Sequence, residues 1–203
     1  MRLFGLFLLT LLFLSSHACA ETLAEVESGL SGLDTLRSRY RQTRHVSGLS
    51  APLEASGTLL MSRGNGLVWK QEKPFPASYV FTEDSLIENA PGVAEKITKK
   101  TDKPQLFRIA DLFTTIFAGD KKLLREYFEL QFIPRNDDLW KIILVPRSSR
   151  LKKFFKSVQL QGSQLVEIVT VYEASGNKTV VNFYDTTTGP TLLSDEEKSY
   201  FQN

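Results

Sequence analysis

Apolar and polar residues alternate along most of the chain, which is the pattern of half-buried β-strands. Residues 57–74, "GTLLMSRGNGLVWKQEKP", show it clearly: strands at 56–63 and 67–73 join through Asn65-Gly66, a strong two-residue hairpin signal. The same alternation predicts further strands at 77–82, 85–88, 93–98, 128–132, 140–144, 153–160, 164–173 and 178–185. Short turns connect many of them, so neighbouring strands should be mostly antiparallel.

The segment "LRSRYRQTRHV", residues 36–46, fits two periodicities. As a helix it would place Arg37 and Arg44 within an apolar stripe that includes Tyr40. As a strand it places Leu36, Ser38 and Tyr40 on one face and the arginines on the other. The strand buries no charge and is therefore our prediction.

Two parts of the chain follow a helical period instead. Residues 21–30 predict a short helix with Thr22 as its cap. Between residues 104 and 118, apolar side chains recur at helical spacing, and Gly119 ends the pattern. Asp120 then caps a second short helix through Leu124. The apolar stripe consists of Leu106, Phe107, Ile109, Leu112, Phe113, Ile116 and Phe117.

This order of elements predicts an α+β fold that is mostly β. An antiparallel sheet curled toward a barrel, with a helix over its concave face, accommodates it. Residues 21–203 would form a single domain, since no linker or repeat interrupts them.

The first 20 residues have the pattern of a signal peptide. A short basic start is followed by an apolar run from Leu3 to Leu14, too short to span a bilayer, and by an Ala-Cys-Ala cleavage site. We expect cleavage before Glu21 and export to the periplasm. The alternative is lipidation of Cys19, although Ser16 stands where a lipobox usually has Leu.

Residue chemistry gives little support for an enzyme. The chain has two histidines and one cysteine, no G-x-S-x-G elbow and no glycine-rich phosphate loop. Its 25 basic and 23 acidic residues imply no nucleic-acid partner. We therefore expect no catalytic residue, metal or cofactor. One basic cluster, which is either a solvated face or a contact for an anionic membrane, comprises Arg147, Arg150, Lys152, Lys153 and Lys156.

Several spaced motifs carry a resemblance to a known family. They are Tyr40-x-Gln42 at the end of the first strand, the series Gly57, Leu59, Arg63, Trp69 and Pro74, and Leu144-x-Pro146-Arg147. In this order, behind a signal peptide, they cover nearly the whole mature chain. The chain thereby resembles the periplasmic outer-membrane lipoprotein carrier LolA and its relatives.

The resemblance implies an unclosed antiparallel barrel whose hydrophobic cavity, under a helical lid, takes up acyl chains. Arg63 would hold the lid through backbone hydrogen bonds near residues 110–118. Cargo would be an acylated lipoprotein or lipid, loaded by an inner-membrane complex and passed by a monomeric carrier to an outer-membrane acceptor. The expected cavity-lining residues are Leu59, Met61, Trp69, Leu106, Ile109, Phe113, Ile116, Phe117, Trp140, Ile142 and Leu144.

Other interpretations remain open at the level of sequence. The helical apolar residues fit core packing as well as a lid. Gly64 stands where the family has Pro, and the chain ends in "EEKSYFQN" without a Pro-rich tail, so the cargo could be another acylated or polyprenyl-like amphiphile. The alternative functions are a lipidated outer-membrane acceptor and a ligand-sensing or interaction module of the same fold.

Overall fold

The computed structural model describes residues 23–30, 33–103, 107, 115, 121–134, 139–189 and 192–202. Within these residues the chain forms one sheet of eleven strands. The strands are β1 Thr35–His45, β2 Leu53–Ser62, β3 Gly66–Lys73, β4 Ala77–Phe81, β5 Ser85–Asn89, β6 Lys96–Lys99, β7 Phe128–Ile133, β8 Trp140–Pro146, β9 Phe155–Gly162, β10 Val166–Glu173 and β11 Lys178–Gly189. Every strand predicted from the alternating pattern is present.

The sheet is antiparallel throughout and is not closed. Its order is β6-β5-β4-β3-β2-β1-β11-β10-β9-β8-β7, so β6 and β7 are the edges. Two meanders of consecutive strands meet at the pair of β1 and β11, which joins the beginning of the chain to its end. The predicted mostly-β, curled antiparallel sheet is confirmed.

Strand β1 settles the ambiguity between helix and strand. Leu36, Ser38 and Tyr40 are buried, whereas Arg39 and Arg41 on the other face are exposed. The alternation of the strand keeps these two guanidinium groups in water, as predicted.

Four short helices have their bounds within the described residues: α1 Leu23–Leu30, α2 Lys121–Tyr127, α3 Ser149–Lys152 and α4 Asp195–Ser199. The first two match predicted helices, although Thr22, the expected cap of α1, lies outside the described residues. From the predicted helix at 104–118 the structure describes Phe107 and Thr115, both helical and buried. Helices α3 and α4 were not predicted.

The two faces of the sheet bury separate apolar clusters. On strands β1–β3 and β7–β11, roughly every second residue belongs to the inner cluster, together with Val26 of α1. The outer cluster is smaller and belongs to β2–β5; its members are Leu60, Val68, Val80 and Ile87, with Leu193 packed on them. Neighbouring residues of β2, such as Leu59 and Leu60, therefore serve different clusters.

Candidate functional site on the inner face

The inner cluster contains the predicted site residues that the structure describes. Leu59, Met61, Trp140, Ile142 and Leu144 are at most 4% exposed and belong to this one cluster, and Trp69 packs against it. The other five predicted residues, Leu106, Ile109, Phe113, Ile116 and Phe117, lie outside the described residues. The structure thus brings two distant parts of the sequence, β2–β3 and β8, onto one apolar surface.

Strand β8 shows how the sequence builds this surface. Trp140, Ile142 and Leu144 are buried, while the side chains between them are only half-buried. The indole Nε1 of Trp140 donates a hydrogen bond of 2.7 Å to the carbonyl oxygen of Ser163, in the turn between β9 and β10. Because its one polar group is satisfied there, the indole presents only apolar atoms to the cluster.

An aromatic group occupies the middle of the inner face. The rings of Tyr40 and Trp69 have centroids 4.3 Å apart, and Phe183 meets Trp69 edge-on at 6.3 Å. Burial raises the pKa of Tyr40 to about 12, so its phenol stays neutral at physiological pH. The two aromatic motif positions, Tyr40 and Trp69, therefore contribute an uncharged surface.

Gly57, the first residue of the Gly-x-Leu motif, has a steric explanation. It lies opposite Tyr40 in the sheet, and a Cβ atom at this position would be 1.9 Å from the carbonyl oxygen of Lys70. Only glycine allows β2 and β3 to approach so closely at this point.

Helices α1 and α2 lie against the inner face. Val26 of α1 is buried in the cluster, and Leu23 and Leu124 pack against it. The ring of Phe107 meets Phe81 of β4 edge-on, with centroids 6.2 Å apart. We call α1 and α2 the helical cover.

Arg147, which ends the Leu-x-Pro-basic motif, holds the end of α2. Its Nε donates to the carbonyl oxygens of Arg125 and Phe128 at 3.1 and 3.0 Å. Its backbone amide donates to the carbonyl oxygen of Tyr127 at 2.9 Å. The carbonyls in the last turn of a helix lack partners within the helix, and a cation there is favoured by the helix dipole.

Arg63 makes an equivalent contact beyond the end of α1. Its Nε and Nη2 lie 3.3 and 3.1 Å from the carbonyl oxygen of Leu33, and Nε lies 3.5 Å from Oδ1 of Asp34. The guanidinium side chain is 48% exposed. The acceptor is a backbone carbonyl in the segment after α1. Of residues 110–118, where the contact was expected, the structure describes only Thr115, so that contact stays a prediction.

An ion pair joins the two helices of the cover. Nη2 of Arg125 in α2 lies 2.8 Å from Oε1 of Glu27 in α1, whose side chain is only 11% exposed. Sequence reasoning missed this pair and the acceptors of Arg147, because both depend on contacts between residues far apart in the chain. For the contacts of Arg147, the signal available in the sequence was its place as the basic residue after Leu144-x-Pro146.

The outer face is closed in a different way, by the C-terminal segment 192–202. Leu193 is buried on β2–β5, and Arg37 of β1 forms a two-pronged ion pair with Glu197 at 2.5 and 2.8 Å. A hydrogen bond from Arg37 lowers the pKa of Glu197 to about 2. A cavity of about 780 Å³ lies between this segment and the sheet.

Apolar and aromatic side chains make up the inner cluster wherever the structure describes it. Among the described residues, no three His, Cys, Asp or Glu side chains come together as a metal site would require. His45, one of two histidines in the sequence, is exposed at the end of β1. No helix among these residues is long and apolar enough to cross a membrane.

Comparison with known proteins identifies the family. Residues 31–197 match the family model described as outer membrane lipoprotein carrier protein LolA. The chain belongs to this family. No curated protein matches the chain significantly. The LolA assignment agrees with the resemblance seen in the spaced motifs.

The chain is also similar to solved structures. LolA superfamily protein NE2245 from Nitrosomonas europaea is 12% identical, with 87% of this chain and 97% of that chain covered and a TM-score of 0.47. A DUF1329 family protein from Desulfovibrio piger is 11% identical, with 86% and 92% covered and a TM-score of 0.48. MucB of Pseudomonas aeruginosa, in its complex with MucA, is 11% identical, with 86% and 58% covered and a TM-score of 0.45.

Proposed function

We propose that this LolA-family protein is a periplasmic carrier that shelters the acyl chains of a lipoprotein or another amphiphile against its inner face. The observation that carries the proposal is the helical cover lying on one continuous apolar cluster from both halves of the sheet. The carrier takes its cargo from an inner-membrane loading complex and delivers it toward an acceptor at the outer membrane.

The energetics of acyl chains explain the need for such a surface. Each methylene removed from water contributes about 0.8 kcal/mol, so one long chain prefers an apolar environment by on the order of 10 kcal/mol. A carrier must provide that environment and still let the cargo leave. Buried aliphatic and aromatic side chains provide it without fixed polar contacts to the cargo.

The cover is attached by contacts suited to opening. Arg63 and Arg147 bind backbone carbonyls, and both guanidinium groups are partly exposed to water. When a helix moves away, water replaces these hydrogen bonds, so each contributes a net of only about 0.5–1.5 kcal/mol, or somewhat more with its charge. Entry of an acyl chain therefore offsets the loss.

Binding of an environment-sensitive apolar dye tests the proposal. We expect the dye to bind the purified protein and an acylated peptide to displace it. The same peptide without its acyl group is the matched control and should leave the dye bound. No displacement at saturating acylated peptide would contradict a site for acyl chains.

A pair of variants separates the inner face from the outer cavity. Ile142, 4% exposed in β8, is the inner-face target, and Ile142→Asn should weaken dye binding. Leu192→Asn, on the exposed edge of the outer cavity, is the control and should bind dye normally. Equal loss in both variants, with both folded by circular dichroism, would count against the inner face.

Two further measurements test how the N-terminus is processed and which class of cargo the protein carries. Mass spectrometry of the mature N-terminus should find Glu21 free, whereas a diacylglyceryl group on Cys19 would favour the outer-membrane acceptor. Lipids that co-purify with the protein from its native envelope should identify the class of cargo.

A further inference from the structure

The two ends of the sheet differ in the connections they carry. Because neighbouring strands are antiparallel, five connections lie together at the end of the sheet that contains His45, the last residue of β1. We call this end the upper rim; its connections are 46–52, 74–76, 90–95, 147–154 and 174–177. At the opposite end, the lower rim, the fully described connections are 63–65, 82–84 and 163–165, and residues 100–103 are the described start of the connection after β6.

The upper rim exposes one large apolar side chain on each of four connections, and we call these side chains the tips. They are Leu49, Phe75, Val93 and Phe154, with exposed fractions of 55, 76, 68 and 50%. No large apolar side chain in these lower-rim segments is exposed to this degree, although Leu192, in the segment that follows β11, is 82% exposed. Phe75 stands between Pro74 and Pro76, and its side chain is largely exposed to water.

The upper rim is also basic. Its connections contain one acidic residue, Glu95, and four basic ones, Arg147, Arg150, Lys152 and Lys153, all exposed. The lower-rim segments contain three basic and three acidic residues, namely Arg63, Lys100, Lys103, Glu83, Asp84 and Asp102. Exposed apolar tips and unbalanced positive charge therefore occur at the same end of the molecule.

Hydrogen bonds hold several of these tips in place. The amide of Ala174 donates to the carbonyl oxygen of Phe154 at 2.9 Å, and the amide of Ser47 donates to Oδ1 of Asn177 at 3.0 Å. Nε2 of Gln71 donates to the carbonyl oxygen of Phe75 at 2.8 Å. Three adjacent connections and the Phe75 loop are thus fixed parts of the rim.

We propose that the upper rim docks on an anionic lipid surface. Apolar side chains that enter the headgroup region and basic side chains that meet anionic headgroups are the two elements of peripheral membrane binding. Each tip lies on a different connection, so the exposed apolar side chains are distributed along the rim. A bilayer accepts such separate, shallow insertions. Docking of this kind would bring the carrier to the membrane at which cargo is exchanged.

Flotation with lipid vesicles tests the docking. We expect the protein to bind vesicles containing about 30% phosphatidylglycerol more strongly than pure phosphatidylcholine vesicles, and to dissociate as salt screens the charges. Phe75→Ser should weaken binding to the anionic vesicles about tenfold. Arg150→Gln with Lys153→Gln should weaken it about 10- to 30-fold at low salt.

The lower rim supplies matched controls. Ile133→Ser removes an exposed apolar side chain, 42% exposed, from the last residue of β7. Lys99→Gln with Lys103→Gln removes two positive charges from the same end. Both variants should bind vesicles as the wild type does. Absence of binding to anionic vesicles, or equal losses in rim and control variants, would overturn the proposal.

A site-specific dye gives an independent measurement. The protein produced from Glu21 onward contains no cysteine, so Phe75→Cys introduces a unique label position. A polarity-sensitive dye there should increase in emission and shift to the blue on anionic vesicles, whereas the same dye at Ile133→Cys should not respond. Unchanged emission at position 75 on bound protein would overturn the proposed orientation.

Separate experiments test the docking proposal and the carrier function, so either can be refuted without the other. Displacement of the apolar dye by an acylated peptide, without vesicles, reports the inner face alone. Vesicle flotation of cargo-free protein reports the upper rim alone. A protein that exchanges the dye but ignores vesicles would refute the docking and leave the carrier function standing.

Discussion

The two faces of the same strands bury apolar side chains in contrasting ways. The outer cluster involves β2–β5 and is closed by the chain's own C-terminal segment, with the Arg37–Glu197 ion pair fixing its position. The inner cluster extends over both halves of the sheet and lies under α1 and α2. Arg147 donates to backbone carbonyls at the end of α2, and Arg63 donates to the carbonyl of Leu33 in the segment after α1. The first arrangement fastens a segment of the chain itself over a small cluster and leaves a cavity beside it. The second covers a much larger apolar surface with short helices, and the proposed uptake and release of apolar cargo would require those helices to move.

Truncation of one leucine on each face should show the largest difference in stability. Leu144 is fully buried on the inner face, and Leu144→Ala should lower the free energy of unfolding by about 2–5 kcal/mol. Leu193→Ala on the outer face should fall at or below the lower end of that range, because Leu193 is 8% exposed in a terminal segment. Urea unfolding measures both. A greater loss at Leu193 would contradict the view of the inner cluster as the main core.

The attachment of α2 should be the next most sensitive feature. Arg147→Leu leaves the carbonyls of Arg125 and Phe128 without their donor, which should destabilise the end of α2 by about 1–3 kcal/mol. Hydrogen exchange of the α2 amides measures the effect. Arg39→Leu is the control on the outer face: its side chain is 55% exposed and lies 4.0 Å from Glu72, so little change is expected. Equal exchange in the two variants would argue against an anchoring role for Arg147.

Removing the Arg63 contact should affect cargo transfer more than stability. Arg63→Leu takes away a partner of the closed cover, so the loaded state becomes relatively more stable. We expect cargo to enter normally and to leave about 5- to 10-fold more slowly, as measured by transfer of a fluorescent acylated peptide to acceptor vesicles. Transfer at the wild-type rate would remove Arg63 from the mechanism.

The ion pair of the outer face should give the smallest effect, and it should depend on pH. The pKa of Glu197 is lowered from 4.5 to about 2, so its contribution to stability is present above about pH 4.5 and is lost as the pH falls toward 2. Glu197→Gln should lower the free energy of unfolding by about 1 kcal/mol at pH 7 and by little at pH 2. The effect at pH 7 is small because Arg37 is partly exposed. Thermal unfolding across this range measures the difference, and a loss independent of pH would contradict the ion-pair explanation.

The strands could be predicted from the sequence because half-buried strands repeat every two residues. Strand β1 could be assigned despite its many arginines, since only the strand keeps Arg39 and Arg41 away from the buried side. Spacing likewise placed Leu59 with Met61 on one face of β2, and Trp140, Ile142 and Leu144 on one face of β8. That the two sets share one surface was implied by the family resemblance and not by their spacing.

Contacts between distant elements could not be predicted in this way. The acceptors of Arg63 and Arg147 are backbone carbonyls, which leave no signal in the sequence. Helix α3 is only four residues long, too short to show a period. Helix α4 did have a signal: Ser194 and Glu197 form a capping box, and their spacing of three residues is typical of a helix start.

The central claim is that acyl chains bind against the inner face, and the two tryptophans of the chain allow a direct test. Trp69 and Trp140 both belong to or pack against the inner cluster, and the chain contains no others. A peptide with a brominated acyl chain should quench their fluorescence, and the same peptide with an ordinary chain should not. Trp69→Phe and Trp140→Phe assign the quenching to each position. Saturable binding of the brominated peptide with no quenching of either tryptophan would contradict the account.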